Sequence, residues 1–143
     1  ETAMNLKDTL NFALAGNAIF TIQNEKTGNR FTFKVRLAPD TYKGQQTWFV
    51  SSLADSDNEG FYRYLGFIRA GTYRASNNLL TGMDHAYKAA GWFFPRLLAQ
   101  HPLPQEVAVH HANRCGRCGR LLTTPESILR GLGPECAEKA AKA

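Results

Sequence analysis

The residues of this chain whose types and spacing can do chemistry are three cysteines and a pair of histidines just ahead of them. They read His110-His111-Ala112-Asn113-Arg114-Cys115-Gly116-Arg117-Cys118-Gly119-Arg120, with Cys136 further along in Gly131-Leu132-Gly133-Pro134-Glu135-Cys136. Two cysteines separated by two residues bend around a metal ion, and a glycine directly after each allows the tight backbone that turns amides toward the thiolates. Structural zinc takes four ligands in a tetrahedron, so with three cysteines in the chain the fourth is a histidine or a carboxylate. His111 is preferred. His110 is the alternative, but alternation along a strand points its side chain to the opposite face.

Other chemistries of these cysteines fit less well. A Cys-x-x-Cys redox pair opens a helix in a thioredoxin-like α/β setting, and no such pattern surrounds Cys115. A catalytic zinc keeps a position open for water beside a general base, whereas three thiolates and a histidine fill the sphere and leave a poor Lewis acid. A structural zinc ion is the expectation, in a reducing compartment where an odd number of cysteines near histidines ligates metal instead of forming disulfides.

The elements that must position these ligands follow from local pattern. A short apolar stretch, Glu106 to Val109, leads into the histidines, with His111 at the end of a strand four positions before Cys115. Pro134 suits the first position of a helix that carries Cys136, with its thiolate near the positive end of the helix dipole. Thr123 or Thr124 can cap a short helix from Pro125, with Glu126 and Ser127 near its free amides. A knuckle, the short strand 120–122 and a helix start supplying the last ligand together resemble a treble-clef-like module.

Upstream, residues 18–23 and 30–37 read as two strands around the turn at Asn24 to Asn29, and Phe31, Phe33, Val35 and Leu37 alternate with Arg30, Thr32, Lys34 and Arg36. One face of that strand is apolar and the other basic. Residues 47–53 and 61–68 complete about four antiparallel strands. An apolar stripe at helical spacing over 83–100 predicts the main helix, capped at Asp84 and kinked or split at Pro95. Pro102 and Pro104 place a boundary near 103. The expected organisation is α+β: a sheet-plus-helix unit over 4–103, then a zinc module over 104–143. Glu1-Thr2-Ala3 read as an expression-tag remnant and are set aside.

The formal charge of +5 makes nucleic acid a reasonable partner. Arg30, Lys34 and Arg36 on the basic strand face, and Arg114, Arg117, Arg120 and Arg130 around the cysteines, are the candidate phosphate contacts. Tyr62, Tyr64, Phe67 and Tyr73, interleaved with Arg63, Arg69 and Arg74, either stack unpaired bases or fill the core; β-propensity favours the core. Asp55, Asp57 and Glu59 can hold Mg²⁺, though such a turn is commonly solvated. No phosphate-binding glycine loop, paired nucleophile and base, or paired carboxylates on one element point to an enzyme, so no catalytic residue is assigned. No apolar run reaches the roughly 20 residues of a membrane span, and a cytoplasmic protein is expected.

The stretch from His111 through Cys115-Gly-Arg-Cys118-Gly-Arg, Pro125-Glu-Ser and Gly131-Leu-Gly133-Pro134-Glu-Cys136 resembles a small zinc-binding domain family of unknown function found in phage, plasmid and bacterial proteins. The resemblance covers residues 110–138. Thr27-Gly-Asn-Arg30-Phe-Thr-Phe, Trp48-Phe-Val-Ser-Ser and Tyr64-Leu-Gly also look like the amino-terminal half of phage proteins that carry this module. The resemblance implies a zinc-stapled accessory protein of mobile elements with His111, Cys115, Cys118 and Cys136 as ligands. A non-enzymatic nucleic-acid-binding protein is the leading expectation; a protein-interaction factor that inhibits or redirects a host defence complex is the alternative.

Overall fold

The computed structural model describes residues 2–54, 61–77 and 82–141. Within them the chain runs β1 (Thr2–Ala3), α1 (Leu6–Ala13), β2 (Asn17–Asn24), β3 (Arg30–Leu37), β4 (Thr47–Leu53), β5 (Tyr62–Arg69), β6 (Thr72–Ala75), α2 (Asp84–Leu98), β7 (Val107–His111), α3 (Pro125–Arg130) and α4 (Pro134–Ala141). The strands form one antiparallel sheet in the order β1-β7-β2-β3-β4-β5-β6. The mixed α and β class expected from the sequence is therefore present. Asp55, Asp57 and Glu59 lie outside the described residues.

The alternation in β3 decides which way the sheet faces. Phe33 and Val35 are fully buried, and their register partners Phe20, Ala18 and Val50 are buried with them. Against this face pack Phe12 of α1 and Phe93 and Phe94 of α2. The Phe33 and Phe93 rings stack at 6.4 Å and 11°, and Phe94 meets Phe33 edge-on at 5.3 Å. Each such phenylalanine contributes about 1.5–3 kcal/mol by leaving water, which is ample reason for the register. Tyr73 belongs to this side too, stacked on Phe94 at 5.3 Å, and burial pushes its hydroxyl pKa up. It is half-buried against the core, on the side of the sheet that the helices cover.

Several expectations are corrected. The strand Val107–His111 is hydrogen-bonded between β1 and β2, so the boundary near 103 runs through a single sheet and the cysteine module is fused to it. Thr2 and Ala3, set aside in the sequence reading, pair with His111 and His110 at the sheet edge. Helix α2 continues past Pro95 to Leu98 without splitting, and its N-cap is Met83, with no side-chain capping bond. Asp84 instead sits in the first turn, where a carboxylate favours the helix dipole.

Helix α1 is an addition to the expected elements. Asn5 Oδ1 accepts the Asp8 amide at 2.8 Å, a cap followed by an acidic first-turn residue. The helix delivers Phe12 to the junction of the sheet and the cysteine module.

Candidate functional site

Cys115, Cys118 and Cys136 come together with their sulfur atoms all within 4.8 Å of one another. Among the described residues this is the one group of three metal-binding side chains. Tetrahedral coordination with metal–sulfur bonds of about 2.3 Å sets thiolates about 3.8 Å apart, so the three donors fit a single ion with small adjustments. Soft thiolates suit a soft or borderline divalent cation.

The backbone explains the convergence. Cys115 N–H donates to Arg120 O at 2.9 Å and Gly119 N–H to Cys115 O at 2.9 Å, closing the knuckle. Gly119 has φ +78°, a left-handed turn that glycine adopts without strain. Arg114 and Leu121 form an antiparallel bridge below it. Thr124 Oγ1 accepts Ser127 N–H at 3.3 Å to start α3 at Pro125, and Gly131 in the left-handed region ends it. Pro134 then opens α4 and brings in Cys136. The cap at Thr124 and the helix start at Pro134 match the local sequence expectations, whereas the strand expected over 120–122 is reduced to the single bridge at Leu121.

The electrostatics of the three thiols differ. Burial pushes Cys115 up, but amides of Cys118, Gly133 and Arg117 and the Cys118 thiol pull it down further, to about 7. Arg117 N–H lies 3.4 Å from its sulfur. Cys136 is pushed up to about 11, by burial first and then by the two neighbouring sulfurs. A cation held by the three sulfurs would offset that repulsion and favour their thiolate forms.

His111, the fourth ligand expected from the sequence, is not brought into this group. Its Nε2–H donates to Ile128 O at 2.7 Å and its Nδ1 accepts Asn113 N–H at 3.0 Å, so backbone partners occupy both nitrogens. The ring is 1% exposed and stacks on Phe12 at 5.2 Å. Burial first, offset in part by the Ile128 bond, lowers its pKa. In this arrangement His111 ties β7 to α3. His110 points to the other face, where Nε2 lies 3.8 Å from Glu25 Oε1.

Phe12 is the wedge that seats the module, and nothing in the local pattern around it announces that role. A Cβ on Gly116 would lie 2.8 Å from its ring, and one on Gly131 would lie 2.3 Å from it. Gly116 N–H bonds to Gly131 O at 2.8 Å, and Gly116 O accepts Asn17 N–H at 2.7 Å. Two glycines of the cysteine motif therefore serve the sheet junction, not the metal turn. Their spacing relative to the cysteines is visible in the sequence; their partner, over 100 residues upstream, is not.

The basic candidates fall into three positions. Arg30, Lys34 and Arg36 project from β3 on the face opposite Phe33 and Val35, with Arg30 and Arg36 exposed and Lys34 half-buried. Arg114, Arg117 and Arg120 are exposed around the knuckle, and Arg114 Nη1 reaches Gly119 O at 3.2 Å. Arg117 follows Gly116, which is bonded to Asn17, the register partner of Arg36, so knuckle and basic strand meet at one end of the sheet. Arg130 is half-buried, its Nε donating to Leu132 O at 3.1 Å and Nη2 to Ser127 Oγ at 3.3 Å, and it braces the module from within. A cleft of about 620 Å³ beside Cys136 is lined by Arg117, Arg130, Lys139 and Trp48.

No described helix is long and apolar enough to cross a membrane. Comparison with curated proteins and with solved structures gave no match. The part of the chain that carries the cysteine group, residues 108–141, matches the model of a family described as a family of unknown function, DUF6011.

Proposed function

We propose that the chain is a zinc-stabilised, non-enzymatic nucleic-acid-binding protein. The observation that carries this reading is the distribution of charge over the sheet. The strands hold Arg30, Lys34, Arg36, Arg63, Arg69 and Arg74 and not one Asp or Glu. Every carboxylate among the described residues sits in a helix, turn or loop. On the face the helices leave bare, Arg30, Lys34 and Arg36 project together, and Arg117 adds a cation at its end. Such a field gains affinity for phosphates by releasing counterions, and forked guanidinium groups suit phosphate oxygens.

Zinc held by Cys115, Cys118 and Cys136 would fold the treble-clef-like module and fix the Arg114–Arg120 loop in place, with its fourth ligand from outside the three cysteines. What the ion supplies is folding free energy. The residues of the chain do the binding: Arg36 and Arg117 present donors at the sheet end, and His111, Phe12 and Arg130 hold the loop against the sheet.

Reversing charge at Arg36→Glu with Arg117→Glu tests the reading. Binding to unrelated sequences is expected to weaken by a similar factor for each, and the slope of the salt dependence to fall by about one unit for each phosphate that is no longer neutralised. Full affinity in the double variant contradicts it.

A further inference from the structure

The sheet face turned away from the helices carries a row of side chains in direct register across four strands. Arg36 pairs with Phe49, Phe49 with Phe67, and Phe67 with Arg74. The next row runs Lys34, Ser51, Tyr64. Phe49 and Tyr64 are 38% and 41% exposed, with ring centroids 6.0 Å apart at 73°. Water-facing sides of antiparallel sheets normally carry polar residues, so two open aromatic rings framed by cations in mid-sheet suit a partner that offers both flat apolar faces and negative charge.

We propose that this row is a stacking platform for unpaired bases: a single strand of nucleic acid crosses β3 to β6, with bases on Phe49 and Tyr64 and phosphates on Arg36, Lys34 and Arg74. This rests on the nucleic-acid reading above and narrows it to single strands. Ring faces are useful to a nucleic acid only when its bases are free to leave their own stack. A duplex offers its base edges in a major groove about 12 Å wide, which admits a helix or a two-stranded ribbon. The row from β3 to β6 is already about 14 Å across at the usual strand spacing, and it sits in a wider sheet.

Two neighbours define the platform further. The Arg69 guanidinium lies 4.5 Å from the Phe67 centroid and 4.2 Å from that of Tyr42, and its Nε donates to Thr47 Oγ1 at 2.9 Å. That sandwich fixes Phe67 as a brace and leaves Phe49 and Tyr64 to meet the bases. A second copy of the chain is a poor occupant. Two-fold pairing through this face would set Arg36, Lys34 and Arg74 against cations of the partner copy, with no carboxylate in the strands to offset them.

The test is fluorescence anisotropy of a labelled oligo(dT) strand and a labelled DNA hairpin duplex with wild-type protein, Phe49→Leu and Tyr64→Ala, alongside the mass of each protein in solution. Both residues are more than a third exposed, and Phe49→Leu keeps an apolar side chain, so folding is preserved. The wild type is expected to prefer the single strand, and each substitution to weaken that binding by about 5- to 100-fold with an unchanged salt slope. Equal or tighter duplex binding, or single-strand binding that both substitutions leave intact, overturns the platform while the nucleic-acid reading stands. Absence of binding to either probe at low salt removes both. A wild-type dimer that Phe49→Leu dissociates would assign the face to a second copy and overturn the proposal.

Discussion

Gly131→Ala probes the joint between sheet and cysteine module. Gly131 has φ +76°, so any other residue there incurs left-handed strain of about 1–2 kcal/mol. The added methyl would also sit 2.3 Å from the Phe12 ring. That ring cannot swing aside, because it is 1% exposed between Phe20, edge-on at 6.3 Å, and His111, stacked at 5.2 Å. Overpacking of this kind costs about 1–3 kcal/mol, which brings the total to roughly 2–5 kcal/mol. Gly28→Ala is the matched control: φ +78°, nothing within 4 Å of the new methyl, and strain alone as the cost. The assay is urea unfolding of metal-loaded protein followed by tryptophan fluorescence. The difference between the two variants isolates the clash with Phe12 at about 1–3 kcal/mol. If Gly131→Ala loses no more than Gly28→Ala, Phe12 does not seat the module.

Three further outcomes follow from the same geometry. Elemental analysis should find one zinc per chain, and Cys136→Ser or a chelator should remove it; hydrogen exchange then rises across 112–141 while β2 to β4 stay protected. Because backbone groups occupy both nitrogens of His111, His111→Gln should keep its zinc yet lose about 2–4 kcal/mol of stability from the broken bridges and stacking, whereas loss of zinc would restore the histidine as a ligand. With the folded pKa of His111 depressed below its ordinary 6.5, the unfolded chain binds more protons on acidification, so its contribution to stability is complete above 6.5 and disappears as pH falls through the lower folded value. Urea midpoints of wild type and His111→Gln should therefore converge in acid, and a constant gap from neutral to acid pH would contradict this.

Much of the local structure is legible in the sequence because local rules decide it. The alternation in residues 30–37, the turn at Gly28, the cap at Thr124 and Pro134 at a helix start each depend on a few neighbouring residues, and each is where the pattern puts it. The cysteines also declare themselves, since the bend between Cys115 and Cys118 is short-range. Sequence reading and structure part where distant residues decide. His111 sits at ligand-like spacing, but Phe12 and Ile128 claim its ring from α1 and α3, and no spacing rule near Cys115 contains either. Val107–His111 reads as the start of a module because prolines precede it, while its hydrogen bonds lie with β2, over 80 residues earlier. Pro95 is a strong local breaker, yet α2 holds through it because Phe94 and Leu97 are buried on either side of it. The aromatic residues of β5 and β6 cannot be sorted from sequence, since the register shift between Val50 and Ser51 and the pairing with β4 decide which of them face out.

The most direct test of the central claim is the affinity of zinc-loaded protein for labelled nucleic acid at 50 and 200 mM salt. Binding that weakens by orders of magnitude, about 10³-fold or more if six phosphates are engaged, is the predicted result. No binding at the lower salt, or an affinity indifferent to salt, would contradict it.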